Sequence, residues 1–226
     1  MHRNTLGTRL GTRLRNRLRT LGLFALGAVG AVSGCGSDKT ASNLTDSGTP
    51  VATPAPLPLT VSDVFAPSGY MGDGATPGAI QVDTTACKTP RPAAALGDCY
   101  KVTYTLGTLG WAGVYWQYPA NNWGASPGKQ IAAGATKVAF YAAGAAGGEL
   151  LQFLAGGEND GTLPYHDAFK VTQNQTLTTS LAPYTVDLTG HAYDTGVLGG
   201  FAWIATAPLG STAPIVFYLD AIAWQK

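Results

Sequence analysis

Charge is scarce in this chain. Of 226 residues, 12% are Asp, Glu, Lys or Arg, and only Glu149 and Glu158 are glutamates. Histidine and cysteine number three each, and methionine two. Each shortage excludes something. Beyond residue 34 the cations are too few and too scattered for a surface that tracks phosphates, which excludes nucleic acid as the expected partner. No His/Cys cluster or EF-hand loop is present, so neither a zinc nor an EF-hand site is expected. No serine lies in a G-x-S-x-G elbow, so a Ser/His/Asp triad has no anchor. Capped amphipathic helices longer than two turns are also missing. Even A-G-A-A-G-G at 143–148 is too glycine-rich to form one.

What charge there is lies unevenly. Arg3, Arg9, Arg13, Arg15, Arg17 and Arg19 precede an apolar run from Leu21 to Val32 with no acidic residue among them. That run is too short to span a bilayer, and basic-then-apolar order predicts an export signal over residues 1–34. It ends in Val32-Ser33-Gly34-Cys35, which resembles the lipobox of bacterial lipoproteins. The resemblance implies acylation of Cys35 and stable membrane anchoring, since each acyl methylene contributes about 0.8 kcal/mol. A plain signal peptide with a chance Cys is the alternative. By analogy with enterobacterial sorting, Gly36 in place of Asp points to the outer membrane of a bacterial cell envelope, the leaflet being open. Without residues 1–34, eight basic residues face 13 acidic ones, a net charge of −5. Cys87 and Cys99 then form an even pair around a Pro/Gly-containing loop, and an exported setting predicts a disulfide between them.

Residues 35–57 are expected to be the lipidated Cys and a Ser/Thr/Pro-rich tether. Residues 58–226 are expected to form one domain. Period-two alternation dominates there. Tyr100, Val102, Tyr104 and Leu106 alternate with Lys101, Thr103 and Thr105. Ile80/Val82, Val138/Phe140, Phe169/Val171, Tyr184/Val186/Leu188 and Phe201/Trp203 repeat the pattern, and the run after Pro214 is apolar on both faces, as in a central strand. Short strands separated by Gly and Pro predict an all-β, two-sheet antiparallel sandwich or jelly roll.

Aromatics gather in W-A-G-V-Y-W-Q-Y-P-A-N-N-W-G at 111–124. Rings beside neutral amides, with no cations, suit the faces and hydroxyls of a sugar rather than a phosphate. As a strand, 111–118 places Ala112, Val114, Trp116 and Tyr118 on one face, and Trp111, Gly113, Tyr115 and Gln117 on the other. The first set reads as core. The second suits an exposed face, although sandwich cores also use such rings. Trp123 follows in a polar loop, where it either plugs the sandwich or meets a ligand.

V-Y-W-Q-Y-P-A-N-N-W-G, G-A-T-K-V-A-F-Y-A-A-G-A-A-G-G-E-L, Y-T-V-D-L-T-G, G-G-F-A-W and F-Y-L-D-A-I resemble the galactose-binding-like jelly rolls of carbohydrate-binding modules, over most of 64–224. The resemblance implies that fold and a carbohydrate partner. Trp123 is expected to stack on a sugar, with Tyr115 and Trp111 extending the platform. Asn121, Asn122 and Gln117 are expected to bind hydroxyls, and Tyr165 and His166 are secondary candidates. Many such modules hold a structural Ca²⁺, for which Asp73 and Asp220 are the matching carboxylates. Asp73 as a turn residue and Asp220 as a surface or capping residue are the alternatives.

Catalysis has few candidates. Glu149 and Glu158 flank an apolar run, whereas a glycosidase needs two carboxylates facing across a cleft. His166 and Asp167 are adjacent and would point apart on a strand, and His191 lies in a loop. The expectation is a non-catalytic, lipid-anchored carbohydrate-binding protein of the cell surface. The alternatives are a structural or adhesive lipoprotein that binds another protein, and a small glycan hydrolase or lyase.

Overall fold

A computed structural model describes residues 53–226 except Ala94 and Leu96. Residues 1–34, Cys35 and most of the expected tether lie outside the described residues. The described strands are β1 (Leu59–Thr60), β2 (Ala66–Gly72), β3 (Ile80–Asp83), β4 (Tyr100–Tyr104), β5 (Trp111–Gln117) and β6 (Lys137–Gly144), followed by β7 (Leu150–Gly156), β8 (Lys170–Thr176), β9 (Ala182–Asp187), β10 (Gly199–Thr206) and β11 (Ile215–Gln225). Among the described residues, helix is confined to two three-residue 3-10 turns, Val61–Asp63 and Asp73–Ala75. The strands form two antiparallel sheets. One runs β3-β4-β11-β6-β9, with β1 beside the end of β11; the other runs β2-β5-β10-β7-β8. From β4 onward the chain crosses between sheets at every step except β7 to β8, which makes an all-β jelly-roll sandwich.

Alternation explains which side chains fill the core. Ala112, Val114 and Trp116 on β5 point inward with Leu151, Phe153 and Ala155 on β7 and Phe201, Trp203 and Ala205 on β10. They meet Val102, Val138, Phe140, Phe217 and Leu219 of the other sheet. Ring pairs tie the layers together: Phe140 with Phe153 at 4.5 Å, and Trp203 edge-on to Phe217 at 4.9 Å. Offset and edge-on pairs of this kind add about 1 kcal/mol each beyond their burial.

The central position expected for the last strand is found, between β4 and β6. Its apolar character on both faces has a different origin. Ile215, Phe217 and Leu219 belong to the core, and so do Ile222 and Trp224. The inward phase changes where the register with β6 shifts between Asp220 and Ala223, and Ala221 there has φ 52°. A bulge therefore switches which residues face in, and the summed pattern reads as uniformly apolar.

The domain also begins earlier than residue 58. Ala55 is buried, its N–H donates to the Gln130 carbonyl at 2.8 Å, and its carbonyl accepts from Ala132 N–H at 2.8 Å. The Cys87–Cys99 disulfide is present, with Cα atoms 5.4 Å apart. The loop it closes is held on the sheet by Arg91, whose Nε and Nη2 donate to the buried Asp220 carboxylate at 2.8 and 2.7 Å.

Candidate functional site

The two faces of β5 separate as its alternation requires. Tyr115 leaves the main core and packs outside the five-stranded sheet with Leu154 and Ala202, bordered by Met71 and Ile204. It is nonetheless buried, because loops cover this end of the sheet. Trp123 stands edge-on to its ring at 6.4 Å. A Cβ added to Gly157 would lie 3.1 Å from its hydroxyl, so the chain leaving β7 crosses directly over it. Tyr115 is thus the support of a site and not its surface.

The covering loops are 118–136, after β5, and 157–169, after β7. Asn122 organises the first. Its Nδ2 donates to the Tyr118 and Ser126 carbonyls at 2.9 and 2.8 Å, and its Oδ1 accepts from Gly124 and Ser126 N–H at 3.1 and 3.0 Å. All four hydrogen-bonding positions of the amide are therefore filled, and the side chain is buried. Its expected role in binding hydroxyls does not fit this geometry. Gln117 is also buried: its Nε2 donates to Glu158 Oε1 at 2.8 Å, and its Oε1 accepts from Ser68 Oγ at 3.0 Å. An amide so enclosed holds structure together rather than meeting a ligand. Asn121 remains on the surface with φ 62°, a left-handed conformation that Asn tolerates better than most residues. Its N–H donates to Ser68 Oγ at 2.8 Å.

The fold brings Trp123 and Tyr165 into neighbouring backbones. Tyr165 N–H donates to the Gly124 carbonyl at 3.1 Å. Gly124 has φ 120°, and a Cβ on it would come within 2.4 Å of the Tyr165 carbonyl, so only glycine permits the two loops to close. Trp123 and Tyr165 keep 37% and 40% of their surface exposed, and His166, which follows Tyr165 in sequence, is exposed too. Trp111 is not part of this cluster. It lies at the other end of β5, about 20 Å away at about 3.3 Å per residue, and its ring packs against Gly72. The open part of the outer face lies toward that end. It is a groove of about 380 Å³ with Leu150 and Ile204 as apolar lining and Gln152, Asn174, Thr176 and Thr206 as neutral polar lining. Gln152 Nε2 donates to Asn174 Oδ1 at 3.0 Å across it. The polar strand β8, whose Thr172–Thr176 half shows little apolar alternation, supplies one side of this groove.

Beneath the covered end lie two buried acids that the alternation pattern does not reveal. Asp167 accepts N–H bonds from Leu198 at 2.7 Å and, through Oδ2, from Glu158 at 3.0 Å and Gly199 at 3.2 Å. Burial pushes its carboxyl up to about 6, against those bonds. Burial likewise pushes Glu158 up to about 7, opposed by the bond from Gln117 and reinforced by the nearby Asp167 charge. The one sequence signal is a glutamate after Gly156-Gly157, where the chain turns over Tyr115.

The two carboxylates expected to hold calcium do not meet. Asp73 accepts from the Tyr104 hydroxyl at 2.5 Å and from the amides of Gly107, Leu109 and Gly110 at 2.9–3.0 Å. The Tyr104 hydroxyl foremost, then those amides, hold its carboxyl below its ordinary value. Asp220 sits toward the far end of the sheet against Arg91. Carboxylates already facing N–H and guanidinium donors do not fit a hard cation that needs a shell of oxygens. Among the described residues no group of three or more His, Cys, Asp or Glu is arranged for a metal. Glu149 and Glu158 are separated by the whole of β7, about 20 Å, far beyond the spacing of about 5–10 Å across which glycosidase carboxylates act.

No family model matches the chain, and no curated protein is similar to it at a significant level. Among solved structures, the chain is similar to a family 30 carbohydrate-binding module, with 15% identity and a TM-score of 0.44 over 74% of this chain and 97% of that one. It is similar to the family 11 carbohydrate-binding module of the cellulosomal cellulase Lic26A-Cel5E of Clostridium thermocellum, with 14% identity and a TM-score of 0.43 over 74% and 92%. An agarase gives 9% identity and a TM-score of 0.42 over 75% of this chain and 26% of its own.

Proposed function

We propose that this chain is a non-catalytic carbohydrate-binding protein, held on the bacterial envelope by a lipid on Cys35. The observation that carries the reading is the exposed Trp123 indole on a loop whose backbone Asn122 has locked, beside the exposed Tyr165. A ring presented on a fixed loop can stack on a sugar at little conformational cost. Asn121 and His166 are the polar groups at its margin, and the neutral groove offers hydroxyl-binding positions further along the sheet. The wide separation of Glu149 from Glu158, and the burial of Glu158 with Asp167, favour binding over hydrolysis.

Retention by immobilised and insoluble polysaccharides tests the reading. Trp123→Ala is expected to abolish retention, and Tyr165→Ala to weaken it, both with an unchanged circular-dichroism spectrum. Equal retention of wild type and Trp123→Ala would refute it. For the anchor, Cys35→Ser is expected to move the protein from the membrane fraction to the soluble one.

The adhesive alternative has one observation of its own. Leu109 and Leu209 are exposed at the opposite end of the sandwich, on loops joined by the Ala207 N–H bond to the Gly110 carbonyl. Loss of a protein partner on Leu109→Ser with Leu209→Ser, and no glycan retention by wild type, would favour it.

A further inference from the structure

The two loops that carry Trp123 and Tyr165 are joined by a hydrogen-bonded relay that is buried from Asp167 to Gln117 and reaches the surface at Ser68 and Asn121. Asp167 accepts from Glu158 N–H; Glu158 Oε1 accepts from Gln117; Gln117 Oε1 accepts from Ser68 Oγ; and Ser68 Oγ accepts from Asn121 N–H. One end fixes the 157–169 loop and the other fixes the backbone two residues before Trp123. Between them lies β5, whose Tyr115 ring touches both Trp123 and the chain at Gly157.

We propose that Glu158 is a positioning residue that couples its own protonation to the placement of Trp123 and Tyr165, so that the site is best formed at mildly acidic pH and loosens when Glu158 ionises. The geometry supplies the reason. Glu158 and Asp167 are both buried, and among the described residues neither has a salt-bridge partner. The Asp167 charge acts on Glu158, and a buried pair of acids tolerates one charge better than two. When both are ionised, the second charge is relieved only if the 157–169 loop moves enough to admit water, and that loop holds Tyr165 against Gly124.

The groups facing this pair are few. Tyr115 comes from β5, Gln117 from its end, and Ser68 from β2. Leu198 and Gly199, at the start of β10, present amides only. His166 adjoins Asp167 in the loop, and Lys170 at the start of β8 lays its aliphatic carbons near Gly157, where a Cβ would be 2.9 Å from Lys170 Cγ. His166 is the other ionisable side chain next to Asp167, and His166→Gln separates its contribution from that of Glu158.

The affinity part of this inference rests on the carbohydrate-binding reading; the coupling itself does not. The protein labelled with 5-fluorotryptophan, with Trp123 assigned by Trp123→Phe, is followed by fluorine NMR from about pH 5 to 8. The Trp123 resonance is expected to titrate near neutrality in wild type and in His166→Gln. In Glu158→Gln it is expected not to. Ser68→Ala, which cuts the relay without touching a charge, is expected to shrink the response. A silent Trp123 resonance in wild type, or one that titrates unchanged in Glu158→Gln, overturns the proposal. Polysaccharide affinity is expected to fall about tenfold over the same range, the effect of about one pH unit of differential protonation, and to be flat in Glu158→Gln. Measurable wild-type affinity that is the same at both pH extremes also overturns the proposal. A normal resonance titration with no polysaccharide bound leaves the coupling standing and removes the carbohydrate reading instead.

Discussion

Replacing Asn122 tests whether the most polar residue of the aromatic loop holds the scaffold or meets a ligand. In Asn122→Ala the Gly124 and Ser126 amides and the Tyr118 and Ser126 carbonyls each lose a partner. At about 1 kcal/mol net per hydrogen bond the loss approaches 4 kcal/mol; water reaching the part-buried carbonyls returns some of it. The expected destabilisation is about 2–4 kcal/mol. For a domain of this size, at about 2–4 °C per kcal/mol, that lowers the melting temperature by about 5–15 °C. Urea unfolding should show a lower midpoint with an unchanged slope, because the surface exposed on unfolding is the same. Asn122→Asp sharpens the test. It keeps both acceptances but sets a carboxylate against two carbonyls, so it should be at least as harmful at neutral pH and recover in part near pH 3. Glycan affinity, measured well below the melting temperature, should fall only as far as the loop is disordered. An Asn122→Ala domain within about 0.5 kcal/mol of wild type that has lost all binding would refute the scaffold assignment.

The buried acids give the domain a pH profile of defined sign. Glu158 titrates near 7 and Asp167 near 6, each above its ordinary value, so between about pH 4 and 7 the folded state binds more protons than the unfolded chain. Stability therefore falls as pH rises through that window. Glu158→Gln should flatten the decline and be more stable than wild type above pH 7 by about 2–3 kcal/mol, read from urea midpoints at pH 5 and 8. Reduction of the Cys87–Cys99 bridge, or Cys87→Ser with Cys99→Ser, should cost about 3 kcal/mol in the same assay, mainly by freeing the unfolded chain. Ala221→Gly should stabilise by up to about 1 kcal/mol, since Ala221 holds a left-handed conformation that glycine adopts freely. A loss of stability there would show that the Ala221 methyl has a packing role.

Alternation alone determined a good deal. Strict period two in 100–106 and 111–118 fixed two strands and assigned Val114 and Trp116 to the core, because a pleated backbone leaves each side chain only two directions. The Cys87 and Cys99 pairing was also legible, since an even pair around a short loop has one partner each. Strand β2, A-P-S-G-Y-M-G, was not legible. Its Pro and Gly residues argue against a strand locally, and pairing with β5 overrides them.

Whether a residue on the outward face meets solvent is a separate matter, and only tertiary structure decided it. Tyr115 and Gln117 point away from the core as their positions require, yet are buried because loops 118–136 and 157–169 cross over them. Asn122 has the chemistry of a ligand contact, but backbone groups up to four residues away already fill its four bonding positions. Asp73 and Asp220 look alike as carboxylates; only the fold shows one facing amides and the other an arginine. The register shift at Ala221 and the burial of Glu158 beside Asp167 come from the same source. A pattern of period two encodes which way a side chain points, while what lies in that direction comes from segments tens of residues distant, packed by the sandwich as a whole.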